Sequence, residues 1–180
     1  MEYIVSLTLL VALAAWLLGS YLRLYHLYTQ VQGAWSRWVA AANLRNENVE
    51  SFARQLVEHL PEDDVLPRDM RHWVADSKRV LAGMSSPLPD IVPDGMVSIE
   101  RRLRRVLSHS VHAVECSPNM RGDEQLKSTC EAMSHALYKQ DEVARFYGFS
   151  AKQYNAALRA PGAKMVASIF GFIPVLRKIP

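Results

Sequence analysis

Twenty residues near the amino terminus, Tyr3 to Leu22, carry no charge and hardly a polar group. A helix of that length, rising about 1.5 Å per residue, matches the roughly 30 Å hydrocarbon core of a bilayer. The stretch reads as a membrane-spanning helix. A cleaved secretory signal fits less well, because Glu2 precedes the run with no Lys or Arg, and the apolar part is too long. Lys and Arg flanking a span resist translocation, and here Arg23, Arg37 and Arg45 all follow it. The amino terminus is therefore expected outside and the bulk of the chain in the cytoplasm, as a single-pass protein.

The residues beyond the span, about 155 of them, are enough for one domain with its own core. The formal charge of +3 is mild and shows no concentrated basic stripe, so no nucleic-acid partner is expected. Cys116 and Cys130 form no CxxC pair and read as packing residues of a reduced, cytoplasmic body.

No proline or turn signal interrupts the chain between the span and Leu60, and apolar residues recur at Tyr28, Val31, Trp35, Trp38, Ala42, Val49, Phe52 and Leu56. Spacing of three and four predicts that the span continues as one long amphipathic helix. A second, shorter helix is expected from near Pro67, with Met70, Trp73, Val74, Ser77, Val80, Leu81 and Met84 on one face. Pro87, Pro89 and Pro93 make the following stretch a stiff connection. A third helix is expected after Asp94, facing inward with Ile99, Leu103, Val106, Val111 and Val114, while Arg101, Arg102, Arg104 and Arg105 lie largely on its solvated side. Asp123 is expected to cap a fourth helix running to about Ala160, where Pro161-Gly162 stops it.

These elements predict an all-α protein: an N-terminal transmembrane helix continuing into an antiparallel up-down-up-down four-helix bundle, with a short C-terminal apolar helix near the membrane. The expected divisions are an anchor over 1–24, the bundle over 25–162 and the membrane-proximal segment over 163–180. An even number of passes returns the chain to the bilayer. Val166, Ile169, Phe170, Phe172 and Ile173, followed by Arg177 and Lys178, suit a segment lying in the interface with membrane lipid, and packing over the open end of the bundle is the alternative.

Levelling Leu60 with Leu126 sets Trp35 opposite Ala151 and brings Arg45 and Asn46 against Gln140, Asp141 and Glu142. A polar layer is expected there, with Arg45 paired to Asp141 or Glu142, unless that face is simply solvated. Below about Asn43 the second and third helices run out. The first and fourth helices then form a two-helix stalk carrying Trp35, Trp38, Tyr147 and Tyr154. Two helices cannot bury both apolar stripes, so the stalk needs the tail, lipid or another protein. Trp35, Trp38, Tyr147, Tyr154, Phe170 and Phe172 are the expected partner-binding residues.

A di-iron bundle needs Glu-x-x-His on two helices, and that spacing does not occur. His109 and His112 stand one turn apart and could share a metal, but two ligands make a weak site and surface histidines are the plainer reading. HExxH, GxSxG and phosphate-binding glycine loops are absent from the sequence, so no catalytic residue, cofactor or resident metal is assigned.

Four segments occur in a telling order: Val31-Gln32-Gly33-Ala34-Trp35-Ser36 after the membrane helix, then Glu142-Val143-Ala144-Arg145-Phe146-Tyr147 with Gln153-Tyr154-Asn155-Ala156-Ala157-Leu158, and Ile169-Phe170-Gly171-Phe172 near the end. Together they resemble the LemA family. The chain looks like a divergent member, with Leu44 to Glu50 lacking that family's proline-bearing run and Ala160-Pro161-Gly162 replacing its Phe-Pro. The resemblance implies a bacterial, membrane-anchored helical scaffold without enzymatic activity, in some cases associated with a membrane zinc protease of the HtpX type. The function expected is a noncatalytic adaptor or accessory subunit that binds a membrane protein partner or forms a homo-oligomer. The alternatives are a metal-binding or enzymatic bundle using His109 and His112, and a periplasmic bundle.

Overall fold

The computed structural model describes residues 2–60, 64–84 and 95–175, and among them every regular element is a helix. In order these are α1 Glu2–Val57, α2 Val65–Ala82, α3 Met96–Cys116, α4 Pro118–Arg121, α5 Glu124–Leu158 and α6 Pro161–Phe170. The expected proline-rich connection, Asp94 as a cap and the cations Arg177 and Lys178 lie outside the described residues.

The span and the first amphipathic helix are one rod of 56 residues, as the absence of any internal breaker predicts. Its apolar part has a mean hydropathy of 2.0 and is long enough to cross a membrane, and none of that window is buried by the rest of the chain. Asp64 starts α2 by accepting a hydrogen bond from the Leu66 amide at 2.8 Å. Asp123 starts α5 as expected, accepting from the amides of Gln125 and Leu126 at 2.8 and 3.0 Å. Its carboxyl is held below the usual range by those amides, and His59 adds to the shift. Gly95 enters α3 at φ 87°, a left-handed conformation that glycine adopts without a Cβ penalty. Pro161 both closes α5 and opens α6, because a residue with no N–H and a preset φ fits the first helical position.

α1 and α5 lie antiparallel along their length. Tyr28 meets Tyr154 with ring centroids 5.8 Å apart, Trp35 meets Tyr147 at 5.7 Å, and Gln55 accepts from the Thr129 hydroxyl near the far end. This register is about one turn from the expected pairing of Trp35 with Ala151. α2 packs on α1 and α3 on α2, whereas the backbones of α3 and α5 stand further apart and are bridged by side chains such as Arg104 and Asp141.

Two apolar clusters fill the interior. The distal one joins Val49, Phe52, Leu56, Met70, Leu103, Leu107, Leu126 and Met133. The proximal one joins Leu24, Val31, Trp35, Trp38, Tyr147, Tyr154, Leu158 and Val166, and it also takes in Leu81, Met84 and Met96. The end of α2 therefore reaches further toward the amino-terminal apolar run than expected, with the Trp35 indole N–H donating to the Met84 carbonyl at 3.4 Å. The inward face of α3 is also rotated from the expected one: Met96, Glu100, Leu103, Leu107, Ser110 and Val114 are buried, while Ile99, Val106 and Val111 lie at its margin.

Candidate functional site

Between the two apolar clusters lies a layer of polar side chains withdrawn from water. Arg45 and Asn46 from α1, Ser77 from α2, Glu100 from α3 and Gln140 from α5 are all at most 3% exposed. The Arg45 guanidinium grips the Glu100 carboxylate with both terminal nitrogens, one of them at 2.9 Å from Oε1. Its Nη1 also donates to Gln140 Oε1 at 2.8 Å, Nη2 to Ser77 Oγ at 3.0 Å, and Nε and Nη2 to Asn46 Oδ1 at 3.2 and 2.8 Å. Asn46 closes the ring by donating to Ser77 Oγ at 3.1 Å. The layer is where the sequence places it, but its carboxylate is not the expected one.

Asp141, expected to pair with Arg45, is half-exposed and takes Arg104 of α3 instead, one of its bonds being 3.1 Å, while Glu142 is exposed. Gln140 is the member of that trio whose side chain enters the core, and an uncharged acceptor there leaves the guanidinium to a carboxylate from the opposite helix. Hydrogen bonding from Arg104 holds the Asp141 carboxyl below its usual range and raises the Arg104 guanidinium in turn. The remaining arginines of α3 are exposed as expected, with Arg102 lying 4.9 Å over the Trp73 ring.

The expected partner-binding aromatics are turned inward. Trp35 is 4% exposed, Trp38 and Tyr154 are 0% and Tyr147 is 1%. They are core residues, and the partner surface expected on them is corrected accordingly. Three pieces of the chain itself cover them: the end of α2 over Trp35, the two indoles stacked on each other at 5.3 Å, and the tail over Tyr154. After α6 the tail runs back along the stalk. Phe170 packs on Tyr21 at 4.7 Å, Phe172 sits between Tyr21 and Tyr28, and Tyr154 donates its hydroxyl to the Ile173 carbonyl at 3.0 Å. Asn155 clasps Val175 in both directions, donating to its carbonyl at 2.7 Å and accepting from its amide at 3.0 Å. Of the expected six, Phe170 alone keeps a largely exposed face.

The aromatics left outside are different ones. Tyr138, Phe146 and Phe149 of α5 are 70%, 47% and 58% exposed, at spacings that put them along one outer face. Their signal was present in the sequence, since each falls off the apolar stripe through Met133, Gln140, Tyr147 and Tyr154.

His109 and His112 line an open groove of about 720 Å³ between α3 and α5, together with Arg104, Glu115 and Asp141. No three His, Cys, Asp or Glu side chains converge as a metal site among the described residues. Burial pushes the Tyr147 and Tyr154 phenols up to about 12.

Two measurements follow from this geometry. Glu100→Ala strands the buried guanidinium and should lower unfolding stability by about 3 to 5 kcal/mol, whereas Arg45→Met with Glu100→Leu should recover most of it, read by denaturant unfolding. A phenol whose folded pKa is raised binds more protons folded than unfolded between about pH 10 and 12, so stability should fall as pH rises through that window, with tyrosinate absorbance appearing late. No protein-family model matches the chain, and neither do any curated proteins or solved structures.

Proposed function

We propose that this chain is a noncatalytic adaptor or accessory subunit anchored in the bacterial inner membrane. In this reading α1 crosses the bilayer once with its amino terminus outside, and α1, α2, α3 and α5 form an up-down-up-down bundle in the cytoplasm. The carrying observation is that the apolar run of α1 lies exposed from Tyr3 to Trp16 among the described residues and meets the rest of the chain near its end, at Trp16, Leu17 and Tyr21, although the inward stripe of the same helix is fully buried from Val31 onward. Such a surface needs hydrocarbon around it. The resemblance to LemA proteins and the arginines that follow the span support the rest of the reading.

The tail already fills the stalk, so the contact surface for a membrane protein partner moves to the outer face of α5. Exposed aromatics are the commonest anchors of protein interfaces, and Phe146 and Phe149 stand about four turns above the end of the span, within reach of a partner's membrane-proximal segment. A membrane zinc protease of the HtpX type is one partner that the family resemblance offers, and a second copy of this chain is another.

Gently solubilised membranes provide the test. Changing Phe146 and Phe149 together to Ser should lower recovery of the co-purifying partner about tenfold while leaving the helical melting curve in place. Undiminished recovery would remove this surface. A complex containing only this chain would assign the surface to self-assembly.

A further inference from the structure

The acidic residues are distributed very unevenly. Of the 18, one is Glu2 and the other 17 fall between Glu47 and Glu142. Residues 3–46 and 143–180, whose described part builds the membrane-side half of the α1 and α5 pair together with α6, contain none. The same two segments carry nine of the 21 Lys and Arg. Arg45 is consumed by the buried layer, whereas Arg23, Arg37, Arg145, Lys152, Arg159 and Lys164 are exposed, and none of them makes an ion pair among the described residues. The mild net charge of the whole chain conceals a molecule that is cationic at the base and acidic toward the tip.

α6 lies within that base and is clamped in one orientation. Val166 is fully buried and Phe170 packs on Tyr21, which turns Met165 and Ile169 outward at 46% and 62% exposed, with Lys164 and Ser168 beside them. The corner between α5 and α6 sits tightly on α1: a Cβ at Gly162 would come within 2.0 Å of the Trp16 indole. Trp16 is six residues inside the end of the apolar run, about 9 Å along the helix axis. A bilayer that encloses α1 up to Leu22 therefore also reaches the corner and α6. Through the Tyr21–Phe170 contact the apolar run adjoins α6, whose Met165, Ile169 and Phe170 are exposed.

We propose that this acid-free end is a docking face for an anionic phospholipid leaflet. α6 lies in the interface with Met165 and Ile169 toward the acyl chains, and Arg23, Arg159 and Lys164 lie among the lipid phosphates. This rests on the anchored reading of α1. Cations within the roughly 8 Å screening length of an anionic surface are attracted to it, and a carboxylate at the same level would oppose them. Lipid is favoured over a protein here because one rim of positive charge surrounds an apolar face that adjoins the membrane span.

The full chain, with Cys116→Ser and Cys130→Ser as background, tests this in vesicles. Ile169→Cys is labelled with the fluorophore NBD, and Leu18→Cys within the span serves as reference. In vesicles of phosphatidylcholine with phosphatidylglycerol, nitroxide lipid should quench most of the emission at both positions, and aqueous iodide should quench little. Nitroxide carried on phosphatidylglycerol should quench position 169 severalfold more than the same mole fraction carried on phosphatidylcholine, and Arg159→Gln with Lys164→Gln should level the two, while position 18 is quenched alike throughout. Iodide access at position 169 with position 18 still lipid-quenched overturns the docking face, and equal quenching at 169 by the two nitroxide lipids overturns its preference for anionic lipid. Loss of lipid quenching at position 18 itself would instead remove the anchored reading and this proposal with it.

Discussion

A single guanidinium, withdrawn from water at mid-height, ties together four helices whose other buried contacts are mostly apolar, with polar pairs such as Lys78–Glu50, Arg104–Asp141 and Gln55–Thr129 at their margins. Removing an ion from water costs several kcal/mol even after relaxation, and it is tolerated only where the partners are complete. Arg45 meets that condition: its five N–H groups find acceptors on Asn46, Ser77, Glu100 and Gln140. Sliding α1 by one turn would carry the charge about 5.4 Å out of this ring and into an apolar cluster. The layer thereby fixes how α1 stands against α2, α3 and α5, which apolar packing alone would leave open to slippage.

That fixed register has consequences at both ends of the rod. Toward the tip it seats Phe52 and Leu56 among the distal cluster, closed by the Asp123 cap and its His59 partner. Toward the base it brings Tyr28 level with Tyr154, so the tail can fold back and fasten itself to Asn155. A two-helix stalk has an exposed seam, and this chain closes the seam with its own last residues. The indoles and phenols lining the seam become core, while Phe146 and Phe149 on the outer face of α5 and Met165 and Ile169 on α6 stay exposed among the described residues.

The helices, the unbroken passage from span to body, the Asp123 cap and the height of the polar layer were all legible in the residues, because each rests on local chemistry. The identity of the layer's carboxylate was not. Glu100 belongs to a buried stripe running Met96, Glu100, Leu103, Leu107, Ser110 and Val114, with alternating steps of four and three. A reading that admits only apolar residues to the inward face excludes Glu100 and rotates the helix toward Ile99 and Val106. The same regularity places Arg45 among Leu24, Val31, Trp38 and Phe52 on α1, every seventh residue, and Gln140 among Leu126, Met133, Tyr147 and Tyr154 on α5. Polar residues in phase with a heptad core were the missed signal. Burial of Trp35 and Tyr154 was hidden for a different reason: the coverings, Met84 and the tail, are distant in sequence, and periodicity carries no information about them.

Amide hydrogen exchange on the full chain in lipid nanodiscs tests the central role of the Arg45 layer most directly. The account predicts slow exchange around Arg45, Ser77, Glu100 and Gln140 together, and Arg45→Met should accelerate it on all four helices at once while the span from Tyr3 to Leu22 stays protected. Acceleration confined to α1, with α2, α3 and α5 unchanged, would contradict it.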